Sequence, residues 1–393
     1  MKTIKLILSL ALVIMLASNA GAHEGHDHGP PLAVSVALDD QGNLWRASVK
    51  DGFVVVDKSA TMSSLVFYAS QKLNSLSQKI GTDGDARPKI AIAKNGNIDV
   101  TWTQALPTPY SGYIWFSRSS DGGKTFSQPS IVHQDRAEIT HRFDALAVSP
   151  SGRIYVAWVD KRDLIAAKKA KQVYDGAAIY YAVSDDQGAS FSAERKVADS
   201  SCECCRIAMF ANEQGDAVMM WRHLFDGGVR DHAMAKVSTN QTMPKVHRAS
   251  FGNWKIDACP HHGPAIAKGG DWGYHMAWFD GGDKAGLFYA RMDGEAWVSS
   301  PAKRFGDANS QAGHPALISD GEQVWLAWKE MTDAASLVKL AKSNDGGRSW
   351  DAPVVISQTK GKSDYPQLLL KDGQAYLAWN TELDGLAWLK VAQ

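Results

Sequence analysis

Seven times along the chain a short apolar run meets a Gly-, Asp- or Asn-containing turn, and a second apolar run follows. The copies read VSVALDDQGNLWRAS, KIAIAKNGNIDVTW, ALAVSPSGRIYVAW, RIAMFANEQGDAVMMW, GPAIAKGGDWGYHMAW, PALISDGEQVWLAW and PQLLLKDGQAYLAW. They begin near residues 34, 89, 145, 206, 263, 315 and 366, a spacing of roughly 50 to 60 residues and somewhat above that of common propeller repeats. Alternating short runs around such turns predict β-hairpins. The six later copies end at Trp102, Trp158, Trp221, Trp278, Trp328 and Trp379, and a recurring aromatic at one strand position predicts a repeated core residue.

A second pattern lies between the hairpins. SSDGGKTF, SDDQGASF and SNDGGRSW share Ser-x-Asp-x-Gly-x-Ser/Thr-aromatic, and each follows a strand-like run. Ser and Asp can accept hydrogen bonds from turn amides, Gly tolerates positive φ, and the aromatic plugs the turn against a sheet. The repeat is therefore four strands, with this turn in its last hairpin. These strings resemble the Asp-boxes of the sialidase superfamily, and the resemblance runs along nearly the whole chain after its N-terminus. It implies an all-β propeller of six or seven four-stranded blades, as one domain over 33–393. It also implies structural roles, away from the ligand face, for Ser119, Asp121, Gly123 and Phe126, for Ser184, Asp186, Gly188 and Phe191, and for Ser343, Asp345, Gly347 and Trp350.

The N-terminus changes the setting. Two lysines, an uninterrupted apolar run and small residues over 1–22 have the anatomy of a secretory signal, cleaved after Ala20 or Ala22. A periplasmic or secreted protein without a membrane anchor is expected, and disulfides are then permitted. Lys plus Arg equals Asp plus Glu at 42 each, so no bulk charge points to nucleic acid. We expect a monomer that takes a small-molecule, glycan or metal ligand. The segment 23–32 reads as a disordered tail in which His23, His26 and His28 offer a short metal-binding tract.

Loops leading into first strands and out of second strands should share the ligand face, and they are rich in His, Arg, Cys and carboxylates. The sialidase resemblance implies an arginine cluster with a Tyr nucleophile, its Glu base and an Asp acid/base. Residues of those types are Arg142, Arg222, Arg230, Tyr365, Glu330 and Asp144. The family's Phe/Tyr-Arg-Ile-Pro string is absent; ARPKI surrounds Arg87 instead. Cys202-Glu203-Cys204-Cys205, Arg222, Arg230-Asp231 and Ala258-Cys259-Pro260-His261-His262-Gly263-Pro264 resemble a bacterial exported branch of the superfamily, over two adjacent repeats. The four cysteines fit a staple from Cys259 into the triplet, a metal site or a redox pair. As metal ligands they would act with His261, His262 and His314, a thiolate–imidazole set that suits copper or zinc. The leading expectation is an exported propeller that binds copper at this face. The alternatives are a sialidase-like hydrolase of an acidic sugar and a protein-interaction scaffold.

Overall fold

The second and third strands of the third repeat are apolar on both faces. Ile154–Asp160 and Ala177–Ser184 are buried along their whole lengths. Such a sheet needs cover on both faces. The computed structural model satisfies this with a ring: it is a seven-bladed β-propeller, described for residues 32–391 apart from 62, 63, 83, 205, 239–242, 259 and 308. Blades 1 to 6 are four-stranded antiparallel meanders over 35–72, 89–131, 141–201, 208–248, 265–305 and 313–359; blade 7, over 367–390, has three strands among the described residues. The first strands are neighbours around the axis, and that of blade 1 meets that of blade 7. Blade 1 therefore stands as a blade of its own, and the count left open by the repeats is seven.

The apolar core is seven separate layers, one between each pair of blades. Each of the six repeated tryptophans is at most 3 % exposed and packs toward the preceding blade. Blade 1 has none to face blade 7, and the closing layer holds only Val34, Val36, Leu44, Ala378 and Leu386 as buried members. Polar ties supplement it. The Val34 amide donates to Asp364 Oδ2 (3.1 Å), Gln367 Nε2 donates to the Val34 carbonyl (2.7 Å), and Asn380 Nδ2 donates to the Leu32 carbonyl (2.7 Å).

The three Asp-boxes form as their residue types require. Ser119 Oγ accepts from the Gly123 amide (2.9 Å) and donates to Asp121 (2.8 Å), which accepts from the Thr125 amide and hydroxyl. Ser184–Asp186–Gly188 and Ser343–Asp345–Gly347 repeat the arrangement. The box glycine also seals blades together. A Cβ on Gly123, Gly188 or Gly347, all at positive φ, would fall 2.3 Å from Trp45, 2.6 Å from Phe116 or 1.8 Å from Tyr289 of the preceding blade. Phe126 packs into the layer between blades 1 and 2, Phe191 lies edge-on to Phe116, and Trp350 packs on Tyr289 and Phe305.

Two blades carry a further tie two residues beyond the tryptophan, on the same strand face. Trp158 Nε1 donates to Asp160 (2.8 Å), which also holds Arg162 (2.7 Å). Trp328 Nε1 donates to Glu330 (2.7 Å), which also holds Lys339 (2.8 Å) and Ser310 (2.7 Å). Among the described residues one α-helix departs from the all-strand pattern. An eight-residue helix, Arg162–Lys169, leaves blade 3 after its second strand, burying Leu164 and Ala167, with Asp163 in its first turn and Lys168 and Lys169 in its last. Those charges suit the helix dipole. Among the described residues no helix is long and apolar enough to cross a membrane.

Candidate functional site at the propeller axis

In an antiparallel meander the loops before first strands and after second strands lie at one end, and the Asp-box turns lie at the other. At the first end, loops from blades 2, 4 and 5 meet. A Cβ on Gly263 would lie 3.1 Å from Asp85 Oδ2 and 2.9 Å from Arg206 Cβ. Over this meeting point runs a stack of rings. Tyr365 lies on His314 (3.5 Å, 8°), His314 on His262 (4.4 Å, 29°), and His262 on Phe279 (4.1 Å, 23°). Gly84 allows the outer end of the stack, since a Cβ there would enter the Tyr365 ring.

Cations surround the stack. Arg87, 4 % exposed, donates through Nη1 to Asp364 (2.5 Å) and to the Val34 carbonyl (2.6 Å), and through Nε to the Gly84 carbonyl (2.8 Å). Arg206 donates to the Cys204 carbonyl (2.5 Å) and lies 4.3 Å above the Phe143 ring, with Arg142 at 4.9 Å from the same ring. Lys329 Nζ donates to the Ser363 carbonyl (3.1 Å), 5.6 Å from the Tyr365 ring. Lys89 Nζ donates to the Asp85 carbonyl. Burial and the charge of Arg87 push this lysine down to about 8.

Two acids sit among them. Asp85 lies 3.7 Å from His314 Nδ1 and 3.7 Å from Arg87. Burial pushes its acid up, but His314, Arg87 and Arg206 outweigh that and hold it well below the usual carboxylate range. Burial pushes Asp364 up to about 6, against the pull of Arg87. Burial also lowers both histidines, His262 down to about 3; at His314 burial is opposed by Asp85. The Nδ1 atoms of His262 and His314 are buried and have no hydrogen-bond partner among the described residues. The His314 nitrogen faces Asp85 at 3.7 Å, whereas that of His262 is bare. Buried polar atoms are nearly always paired, so a bare nitrogen here calls for a ligand or water.

The sequence-derived candidates divide. Tyr365, His262 and His314 come together at the axis, and Arg142 flanks it. Glu330 does not join them. It shares the Trp328 face of its strand and is filled by Trp328, Ser310, Lys339 and the Asp307 amide (3.2 Å), whereas Lys329 on the other face reaches Tyr365. The expected Tyr–Glu pair is therefore absent for a geometric reason, strand alternation. Asp144 accepts from Thr101 (2.7 Å) and Thr103 (2.8 Å) and is a buried tie between blades 2 and 3. Arg222 is 1 % exposed and gives its Nη groups to the carbonyls of Arg230 (3.0 Å) and Phe279 (2.8 Å), over Trp254. Arg230 donates to the Ile256 carbonyl (2.6 Å) and to Cys202 Sγ (3.5 Å). The arginines of the axial cluster are instead Arg87 and Arg206. Arg206 was masked in the sequence by the cysteines before it; its place at the head of a repeated first strand was the available signal.

Cys202 and Cys204 are buried with their sulfurs 3.7 Å apart, beyond the ~2.05 Å of a disulfide. They are not bridged to each other. Cys205, Cys259 and the histidines at 23, 26 and 28 lie outside the described residues. His261 is exposed at positive φ. Among the described residues no group of three or more His, Cys, Asp or Glu side chains is placed to hold a metal ion. A cavity of about 780 Å³ lies apart from this cluster, beside the rim of blade 5. The convergence of charge, rings and a bare nitrogen makes the axis the better candidate site.

No family model matches the chain, and no curated protein does. Among solved structures, an ulvan lyase of the polysaccharide lyase PL25 family, bound to -[GlcA(1-4)Rha3S]-, is 12 % identical with a TM-score of 0.57, covering 93 % of both chains. The Hadza microbial sialidase Hz136 is 15 % identical with a TM-score of 0.52, over 90 % of this chain and 74 % of that one. A leech intramolecular trans-sialidase is 11 % identical with a TM-score of 0.52, over 89 % and 83 %. The fold is thus that of the sialidase-like β-propellers. At these identities the likeness reaches the fold alone, and the reading of function rests on the axial residues.

Proposed function

We propose that the axial face binds and acts on an acidic carbohydrate. The observation that carries this is the bare, buried Nδ1 of His262 beside the His314–Asp85 pair, set among Arg87, Lys89, Arg206 and Lys329. Arginine and lysine match a sugar carboxylate or sulfate, and neutral imidazoles can accept from hydroxyls. His314 beside the ionised Asp85 is a base, and Tyr365 stacked on it is the nearby hydroxyl acid. The sialidases and the ulvan lyase of similar fold act on acidic sugars, which agrees with this chemistry. The filled carboxylate of Glu330 speaks against a sialidase-type Tyr–Glu mechanism. Export by residues 1–22 belongs to the same proposal and is tested by cell fractionation.

The test is binding and turnover on uronate-containing, sialylated and neutral glycans at low and moderate salt. Binding of acidic glycans that weakens with salt, and that Lys329→Met reduces several-fold, supports the reading. Equal affinity for neutral and acidic glycans, or binding unchanged by Lys329→Met and His314→Gln, would overturn it. Tyr365→Phe should retain binding and lose turnover.

A further inference from the structure

The acid two residues beyond the repeated tryptophan is matched differently in three blades. In blade 3 Asp160 holds Arg162, and in blade 6 Glu330 holds Lys339. The equivalent in blade 5 is Asp280, two beyond Trp278 and the last residue of Gly273–Asp280. It is 6 % exposed. Among the described residues its hydrogen bond is from the Gly282 amide (2.9 Å), and no Lys, Arg or His nitrogen pairs with it. Arg222 lies nearby, but its Nη groups are given to carbonyls. Burial, opposed by that amide and by Arg222 and reinforced by the charge of Asp231, pushes the Asp280 acid up from its ordinary value.

Where blades 3 and 6 have an internal cation, blade 5 has a space. Asp280 lines the cavity of about 780 Å³, whose walls include Trp278, Phe288, Trp297, Phe251 and Pro301. Trp278 and Phe288 stack at 6.1 Å and 21° on one wall. Gly252, which also lines it, leaves the carboxylate open: a Cβ there would lie 1.9 Å from Asp280 Oδ2. The volume is that of a small-molecule site, and such sites are mostly apolar with a few placed polar groups. Aromatic faces attract cations, and a buried carboxylate that no cation contacts directly gains from one.

We propose that this cavity is a second ligand site, separate from the axial one, which takes an organic ammonium compound with an apolar body. The ammonium group lies against Asp280, in the role that Arg162 has for Asp160 and Lys339 for Glu330, and the body lies between the aromatic walls. Lys284 is at the solvent edge and Asp283 beside it, both exposed.

The experiment uses the whole protein and ligand-observed NMR titration with benzyltrimethylammonium and with neopentylbenzene, its uncharged isostere. Saturable binding of the cation, about tenfold or more tighter than the isostere, is expected. Asp280→Asn, which keeps the acceptor for Gly282, should abolish that preference, and Asp283→Asn should leave it intact. Phe251→Ala, in an exposed loop, should weaken both probes. Should Asp280→Asn fail to fold, Gly252→Ala crowds the same carboxylate and should lower cation affinity. Equal binding of both probes, no saturable binding of the cation, or a preference that survives Asp280→Asn or Gly252→Ala would overturn the proposal. So would an equal loss in Asp283→Asn. Because the axial residues are untouched, acidic-glycan binding is unchanged in these variants, so failure of one reading is distinguishable from failure of the other.

Discussion

The joint between blades 1 and 7 is where the ring is most exposed to a single substitution. Its apolar layer is small and lacks the tryptophan that seals the other six. Arg87 and Asp364 meet beside it at 2.5 Å, 4 % and 1 % exposed by side chain, and both are also bonded to Val34, through its carbonyl and amide respectively. Asp364→Ala leaves a buried guanidinium without its carboxylate and the Val34 amide without an acceptor. Breaking a buried pair from one side costs about 3–5 kcal/mol, a large share of the ~5–15 kcal/mol that holds a typical domain. Arg87→Met strands Asp364 in the same way and should cost a similar amount. The double variant has no stranded charge and should lose less than the sum, by about 2 kcal/mol or more. The assay is urea unfolding followed by tryptophan fluorescence, with far-ultraviolet circular dichroism to confirm the native sheet. If the two losses add to within about 0.5 kcal/mol, the pair is not what closes the ring and the reasoning fails.

Glu330→Ala should cost about 3 kcal/mol, since Trp328, Ser310, Lys339 and the Asp307 amide all lose their acceptor. Acidic-glycan binding should be retained below the melting range; a large loss of binding at full folding would return Glu330 to the site. Gly188→Ala, at φ 83° and with its Cβ 2.6 Å from Phe116, should lower stability by about 2 kcal/mol or more in urea, and an unchanged midpoint would refute the sealing role of the box glycine. Acid titration of stability follows from the buried histidines. His133 and His262 are lowered to about 3, and His223 and His275 to about 4, from 6.5. A lowered histidine makes the unfolded state bind more protons, so its contribution is present above pH 6.5 and is lost as pH falls toward 3–4. Asp364, raised to about 6, acts in the opposite sense between 3.8 and 6. Urea midpoints should therefore fall from pH 7 to 5, and His262→Phe, which keeps the ring stack, should make the fall shallower; an unaltered slope would count against a neutral His262.

Much of the fold was legible because its signals are local. Hairpin turns, alternating runs and Asp-boxes are each written within about eight to fifteen residues, and the tryptophans mark the phase of every later blade. The count of blades was not local. It depended on whether residues 35–72 pair among themselves or complete the last blade, and no periodicity distinguishes those outcomes. The helix Arg162–Lys169 was hidden because it is short and polar, and its buried side is only Leu164 and Ala167. The meeting of Tyr365, His262 and His314 at the axis was legible because they lie just before or at the start of first strands. Glu330 and Asp144 lie away from that meeting point, because loop proximity does not carry strand phase. Two steps on from Trp328 places Glu330 on the inter-blade face, and Asp144 faces Thr101 and Thr103 of blade 2.

Ring closure and the axial site turn out to share residues, and this has a physical consequence. Arg87 holds the carbonyl of Val34 in blade 1 and the carboxylate of Asp364 before blade 7, and it also lies 3.7 Å from Asp85, which faces His314. A propeller that closed through an exchanged strand would be free to leave its axis neutral. This one closes partly through a buried cation, and Lys89, Arg206 and Lys329 add like charges near it. Cations gathered in a place of restricted hydration repel one another, and an anion bound among them relieves that cost in the folded state alone. An acidic ligand at the axis would therefore tighten the ring as well as occupy the site, by mass action on the native form. The gain should shrink with salt at the solvent-facing groups and persist at Arg87, which is shielded by its burial.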